Sequence, residues 1–149
     1  MSKVLIIPFE NAHAEYIVSQ KMNDKFLELS PQHKKFAYFL KEIGMSFTGV
    51  VNNKPIAAGG IFPLWDNVAE GWVLATDEIH RYPITLAKVI KQRTEMMCLN
   101  NKIKRLQTSV KADSKLAIRF AEWLGLKQEG IMKHYGPDGS DYYRYARIF

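Results

Sequence analysis

Glu70 lies in a run, Val68 to Ala75, whose Trp72, Val73 and Leu74 favour a strand. A carboxylate on a half-buried strand can accept a proton near neutral pH, whereas a strand glutamate that faces solvent or pairs with a lysine does nothing chemical. The run breaks at Thr76-Asp77-Glu78, and Pro83 stands where the first turn of a helix accepts it. A helix opening at Pro83 aims free backbone N–H groups back at the loop, which suits a ligand phosphate. His80, Arg81 and Thr85 lie there to add donors and charge.

Other chemistries find less support. His13, His33, His80 and His134 have no ligand-like spacing and are not joined by cysteines, so no metal site is expected. The single cysteine, Cys98, sits among Met96, Met97 and Leu99 in a helical run, where an inert buried thiol is expected and no internal disulfide can form. A reducing cytoplasm suits such a chain. Tyr142, Tyr143 and Tyr145 with Arg144 and Arg147 offer stacking surfaces, but alternation on a terminal strand explains them and no nucleic-acid motif accompanies them. The net charge of +6 is spread without a run of four cations, which describes solvated faces and equally suits a ligand with several phosphates.

The elements that must position these residues follow from periodicity. At 149 residues the length suits one domain, 1–149, and the longest apolar runs fall far short of a bilayer span. Lys3 to Phe9 reads as a strand, and Glu10-Asn11 open a helix through Tyr16, Ile17 and Gln20 that Asn23-Asp24 close. Ser30-Pro31 start a second helix striped by Phe36, Phe39, Leu40 and Ile43 and ended by Gly44. That region, with Lys25, Glu28 and His33, names no substrate. Met45 to Val51 and Pro55 to Pro63 form a hairpin across Asn52-Asn53-Lys54. Ala57-Ala58-Gly59-Gly60 marks a bulge, a close backbone approach, or tight packing under a helix. Trp65-Asp66-Asn67 turns into the Val68 strand, and the helix from Pro83 to Asn101 is apolar on more than one side. Leu106 to Val110 is a strand, Asp113 or Ser114 caps a helix carrying Leu116, Ala117, Phe120, Trp123 and Leu124, and Gly125 ends it. Gln128 to Tyr135 and Asp141 to Phe149 close the chain as a hairpin across Gly136-Pro137-Asp138-Gly139.

The wording V-x-x-D-x-x-x-A-x-x-F-x-x-x-L-G-L from Val110 to Leu126, followed by Glu129-Gly130 and a Tyr-rich end, resembles the C-terminal half of the GNAT N-acetyltransferase superfamily. Ala69-Glu70 and Leu74-Ala75 fall where histone-acetyltransferase members read A-E-x-x-x-L-A. The likeness follows element order over nearly the whole chain, is close only from Val68 to Glu129, and is greatest to the small acetyltransferase-like proteins of tailed phages. It implies an α/β (α+β) acyl-CoA N-acyltransferase fold, a mixed sheet of about seven strands with about four helices, splayed between strands 4 and 5. It further implies acetyl-CoA as cosubstrate, with the pantetheine arm beside Val73, Leu74 and Ala75 and the pyrophosphate over Glu78 to Leu86. His80, Arg81, Tyr82, Ile84, Thr85 and Asp113 belong to the same implied coenzyme site, and Glu70 takes the general base's place in direct transfer to an amine. That amine belongs to a small molecule or a protein, and a homodimer and a cytoplasmic setting, the host's for a phage product, fit the resemblance.

Two departures stand out. Ile84 and Leu86 occupy the places of the loop glycines that let backbone amides approach a pyrophosphate, and the loop is shorter than usual. Ala121 replaces the tyrosine commonly aimed at the coenzyme sulfur, leaving Ser114 or water as the acid. The alternative is therefore a catalytically degenerate acetyltransferase-like virion or host-interaction protein.

Overall fold

The computed structural model describes residues 3–20 and 45–149. In chain order these form β1 (Leu5–Pro8), α1 (Asn11–Ser19), β2 (Ser46–Val51), β3 (Lys54–Trp65), β4 (Val68–Ala75), a 3-10 turn (Asp77–Arg81), α2 (Pro83–Asn100), β5 (Arg105–Lys111), α3 (Lys115–Trp123), β6 (Lys127–Met132) and β7 (Tyr142–Ile148). The described residues thus hold three α-helices. The expected second helix, from Ser30 to Gly44, lies outside them, as do Lys25, Glu28, His33 and the Asn23-Asp24 stop.

The strands make one seven-stranded sheet in the order β1-β2-β3-β4-β5-β7-β6. Pairs β1–β2, β2–β3, β5–β7 and β6–β7 are antiparallel and β4–β5 is parallel, so the sheet is mixed as expected. The parallel ladder covers only Val68↔Arg105, Ala69↔Leu106 and Glu70↔Gln107. Both strands run on past its last pair, β4 to Ala75 and β5 to Lys111.

Contacts divide the chain into two compact units, Met1–Phe62 with Trp72–Thr94 and Pro63–Gly71 with Glu95–Phe149. In the first unit the Asn52-Asn53 turn places both asparagines at positive φ, 50° and 63°, a conformation asparagine tolerates better than most residues. Phe9 with Ala14 and Ile17 of α1 cluster with Ala58 and Leu74, and Trp72 packs edge-on to Phe9. The two strand glycines are there for close approach. A Cβ on Gly59 would meet the Trp72 carbonyl oxygen at 2.7 Å, and one on Gly60 would run into that of Met45. The ladder's irregularity falls instead between Gly49 and Val50. β3 also outruns its expected limits at both ends, keeping Pro63 inside the strand.

In the second unit α3 packs on β5. Leu106, Val110, Ala117, Ala121, Leu126, Tyr145 and Ala146 are all buried. α3 ends as the sequence predicts: Gly125 takes φ +87°, its N–H donates to the Glu122 carbonyl, and the Leu126 N–H reaches back to Ala121. β6 stops at Met132, short of the expected Tyr135. His134, at φ 57°, has its N–H held by Asp141 Oδ1, and this pulls the chain out of the strand. Cys98 is fully buried and its thiol is pushed up to about 11 by desolvation, the inert group its helical setting suggests. Among the described residues no helix is long and apolar enough to cross a membrane.

α1 depends on an imidazole. His13 Nδ1 accepts the Glu10 N–H at 3.0 Å and lies 2.8 Å from Thr48 Oγ1, a hydroxyl on a fully buried residue. A backbone N–H only donates, so Nδ1 carries no proton and the Thr48 hydroxyl donates to it. Desolvation lowers the His13 pKa from its ordinary 6.5, against a smaller opposite pull from Glu10. The folded chain thus binds fewer protons here than the unfolded one, and stability falls as pH drops through 6.5 towards the lowered folded value, then levels. Denaturant titrations across that window should show this component in the wild type and lose it in His13→Gln.

Candidate active site

Glu70 sits at the last rung of the β4–β5 ladder, directly opposite Gln107. Paired residues share a face and alternate residues return to it, so Glu70 on β4, Gln107 and Ser109 on β5, and Arg144, opposite Ser109 on β7, stand on one side of the sheet. Their side chains meet. Gln107 Nε2 donates to Glu70 Oε2 at 3.0 Å, and Arg144 Nη1 lies 3.1 Å from Glu70 Oε1, with the two side chains 23% and 19% exposed. Glu70 neither faces solvent nor pairs with a lysine; it is held from two strands. Arg105 extends the network, its Nε donating to Gln107 Oε1 at 3.0 Å and its Nη1 to Glu129 Oε2 at 2.9 Å. The hydrogen bonds from Arg105 hold the Glu129 carboxyl below the usual range. Gln107 and Ser109 were not singled out from the sequence, although the alternation of Arg105, Gln107 and Ser109 on β5 was a signal for them, and Arg144 was named there only as part of a stacking surface.

The strand-turn-helix element has the predicted order. Thr76 Oγ1 accepts the Glu78 N–H at 3.3 Å and starts the 3-10 turn, while the Thr76 N–H ties to the Ile56 carbonyl at 2.9 Å. α2 follows at Pro83, and Leu86 N–H donates to the Tyr82 carbonyl. The N–H groups of Ile84 and Thr85 therefore belong to the first turn, which has no carbonyl one turn back within the helix. The side chains divide sharply. Leu86 is 5% exposed and packs with Val51 and Ile56, joined by Tyr82. It is seated over Gly49, whose missing Cβ would lie 3.4 Å from Leu86 Cδ2. Ile84 is 69% exposed, and His80, Arg81 and Thr85 are also exposed. Arg81 has only a loose partner in Glu78, at 3.8 Å. On β4, Leu74 is buried against α1 while Val73 and Ala75 cluster with Ala57 and Ile79, so the backbone is what these three residues can offer a ligand.

Ser114 caps α3, its Oγ accepting the Ala117 N–H at 3.2 Å, and Asp113 is exposed in the turn just before it. Ala121, in the place of the usual tyrosine, is 3% exposed and so is a packing residue. Tyr143 and Tyr145 meet in a T-shaped, edge-to-face contact, the Tyr145 hydroxyl reaches Glu122 Oε1, and Arg147 Nη1 donates to the Leu124 carbonyl and to Glu95. The Tyr- and Arg-rich end is accounted for by strand alternation. No group of metal-ligating side chains occurs among the described residues.

No protein-family model matches the sequence, and no curated protein matches it. Solved structures do. Ard1 from Thermoplasma volcanium superposes with a TM-score of 0.80 at 16% identity, over 97% of each chain. A GNAT-family acetyltransferase from Streptococcus pneumoniae gives 0.74 at 15% identity over 99% of each, and one from Elizabethkingia anophelis with acetyl-CoA bound gives 0.70 at 12% identity over 98% of each. At these identities the likeness establishes the fold: the chain has the mixed-sheet architecture of the GNAT acetyltransferases.

The cap at Ser114 can be checked apart from any activity. Ser114→Ala leaves the Ala117 N–H without its partner and should cost about 1 kcal/mol in urea unfolding, whereas Ser114→Asp should retain most of the wild-type stability.

Proposed function

We propose that this chain is an acetyl-CoA-dependent N-acetyltransferase that moves an acetyl group to an amine. The observation that carries the reading is the β4-turn-α2 element: β4 outruns its ladder with β5, and the first turn of α2 opens beside exposed Arg81 and His80. The absent loop glycines do not close this place. Leu86 turns its side chain into the core, and only exposed Ile84 and Thr85 border the first-turn amides. A pyrophosphate fits there, taking N–H groups from Ile84 and Thr85 and charge from Arg81. The backbone of Val73, Leu74 and Ala75 offers an extended pantetheine arm the hydrogen bonds of an added strand.

Bound acetyl-CoA supplies an acyl carbon activated as a thioester. The chain's task is to hold it, orient an amine and move protons. Glu70, steered by Gln107 and Arg144, takes the proton that the amine loses as its nitrogen bonds to the acyl carbon. Ser114 keeps its hydroxyl hydrogen while accepting from Ala117, and it or water returns a proton to the sulfur when the carbon–sulfur bond breaks. The narrower likeness to tailed-phage proteins rests on the wording from Val68 to Glu129. One observation favours the non-catalytic alternative, a virion or host-interaction component: Ala121 is a core residue, so no phenol stands in the acid's usual place.

Calorimetric titration with acetyl-CoA decides between them. The transferase should show saturable binding that weakens as salt rises, because Arg81 is an exposed cation. Absence of binding at low salt would sink the reading. In a thiol-release assay over a broad amine panel, Glu70→Gln should bind acetyl-CoA as the wild type does and turn over roughly two to four orders of magnitude more slowly. An equally fast Glu70→Gln would remove Glu70 as the base.

A further inference from the structure

The hydrogen bonds around Glu70 run in one direction only. Arg105 has N–H groups and no acceptor, so the Gln107 atom that meets Arg105 Nε at 3.0 Å must be the amide oxygen. The Gln107 amide nitrogen then faces Glu70 and donates to Oε2 at 3.0 Å. Arg144, a second group that only donates, occupies Oε1 at 3.1 Å. Both Glu70 oxygens are therefore acceptors, and each keeps a further lone pair for the proton of an amine.

Turned over about its last side-chain bond, the Gln107 amide would set its oxygen against the Glu70 carboxylate, acceptor against acceptor. The two ends of an amide are alike in size, so the shape of Gln107 alone does not prevent the turn. Arg105 does, because the turned amide would meet Arg105 Nε donor against donor.

The guanidinium of Arg105 is itself fixed along two edges. Nε serves Gln107, while Nη1 and Nη2 take the two oxygens of Glu129, Nη1 at 2.9 Å. Glu129 lies on β6, at the outer end of the sheet order. With the Arg105 and Glu129 side chains 28% and 45% exposed, an ion pair of this kind adds little to stability. Its consequence is orientation, since a bidentate pair leaves the planar fork a single pose. A lysine, with one compact ammonium, cannot hold a carboxylate and an amide in one plane.

Resting on the transferase reading, we propose that Arg105 is a positioning residue for the base: anchored by Glu129, it holds the Gln107 amide in the orientation that donates to Glu70. The relay runs from β6 through β5 to β4, so the outer edge of the sheet sets the rotation of a carboxylate two strands inward from β7.

Variants at the two β5 positions test this. In the thiol-release assay Arg105→Met should lower kcat roughly tenfold, less than the hundredfold or so that a misplacement of about 1 Å can cost, because Arg144 still holds Oε1. KM for amine and for acetyl-CoA should stay at the wild-type values. Gln107→Met should lose as much, adding Arg105→Met to it should cost nothing more, and Arg105→Lys should keep part of the rate. The Gln107 side-chain amide gives a readout independent of turnover. In nitrogen-edited NMR spectra of the full chain, the Nε2 proton given to Glu70 should stand apart from its partner, and the two should draw together in Arg105→Met. Should Arg105→Met fail to fold, Glu129→Ala, on an exposed residue, carries the same readouts in smaller degree. A loss that Arg105→Met adds undiminished to Gln107→Met would overturn the proposal, since Arg105 would then act by its charge alone. So would a Gln107 proton pair unmoved by Arg105→Met. A pair that draws together in a chain that acetylates no amine would uphold the hold of Arg105 on Gln107 and remove the transferase.

Discussion

The parallel ladder between β4 and β5 lasts three residue pairs, and the rest of the molecule's chemistry depends on where it stops. Parallel strands are joined by evenly spaced hydrogen bonds, and just past this ladder the Thr108 hydroxyl takes over, donating to the Gly71 carbonyl at 3.0 Å. The ladder ends at Glu70↔Gln107. Behind that rung β4 is locked into the sheet; beyond it, Val73 to Ala75 keep an extended backbone held from the other side by close contact with β3, where Gly59 lets the Trp72 carbonyl approach. The carboxylate therefore stands at the boundary between paired and unpaired strand.

The same economy explains a loop without glycines. A Cβ is an obstacle only where it points at the ligand. At α2 the apolar side chain of Leu86 is drawn into the cluster with Val51 and Ile56, and Gly49 supplies the space opposite it. Burial of a leucine side chain contributes about 1.5–3 kcal/mol, which anchors the helix start more firmly than a glycine could. Ile84, two residues earlier, stays outside that cluster and exposed. The glycines that this chain does spend on close approach lie in β3, under β4 and β2.

On the sheet face around Glu70, position has been fixed by electrostatics. A side chain about one-fifth exposed, with one oxygen on an amide donor and the other on a guanidinium, has little rotational freedom. Arg105 and Glu129 continue the chain of alternating charge to the sheet edge. Such a network balances the charge along this face, since Glu70 pairs with Arg144 and Glu129 with Arg105.

Local chemistry was legible from the residues. Alternation in β5 and β7, Pro83 at a helix start, Ser114 before Lys115, Gly125 at positive φ and the Asn52-Asn53 turn all act through neighbours along the chain, so sequence alone determined the element order and the mixed α/β class. The close approach at Gly59-Gly60 was legible as a possibility, because a missing Cβ advertises space without saying what fills it. Strand lengths were less exact: β3 gained residues at both ends and β6 lost its last ones to the Asp141 contact, since ends are set by partners distant in sequence. The partners of Glu70 belong to the same category. Gln107 and Arg144 come from positions 37 and 74 residues away, brought together by a ladder register that no periodicity encodes. Sequence named the carboxylate; only the tertiary structure decided that it is gripped rather than free, because an ion pair across three strands depends on strand order and register, which are properties of the folded sheet.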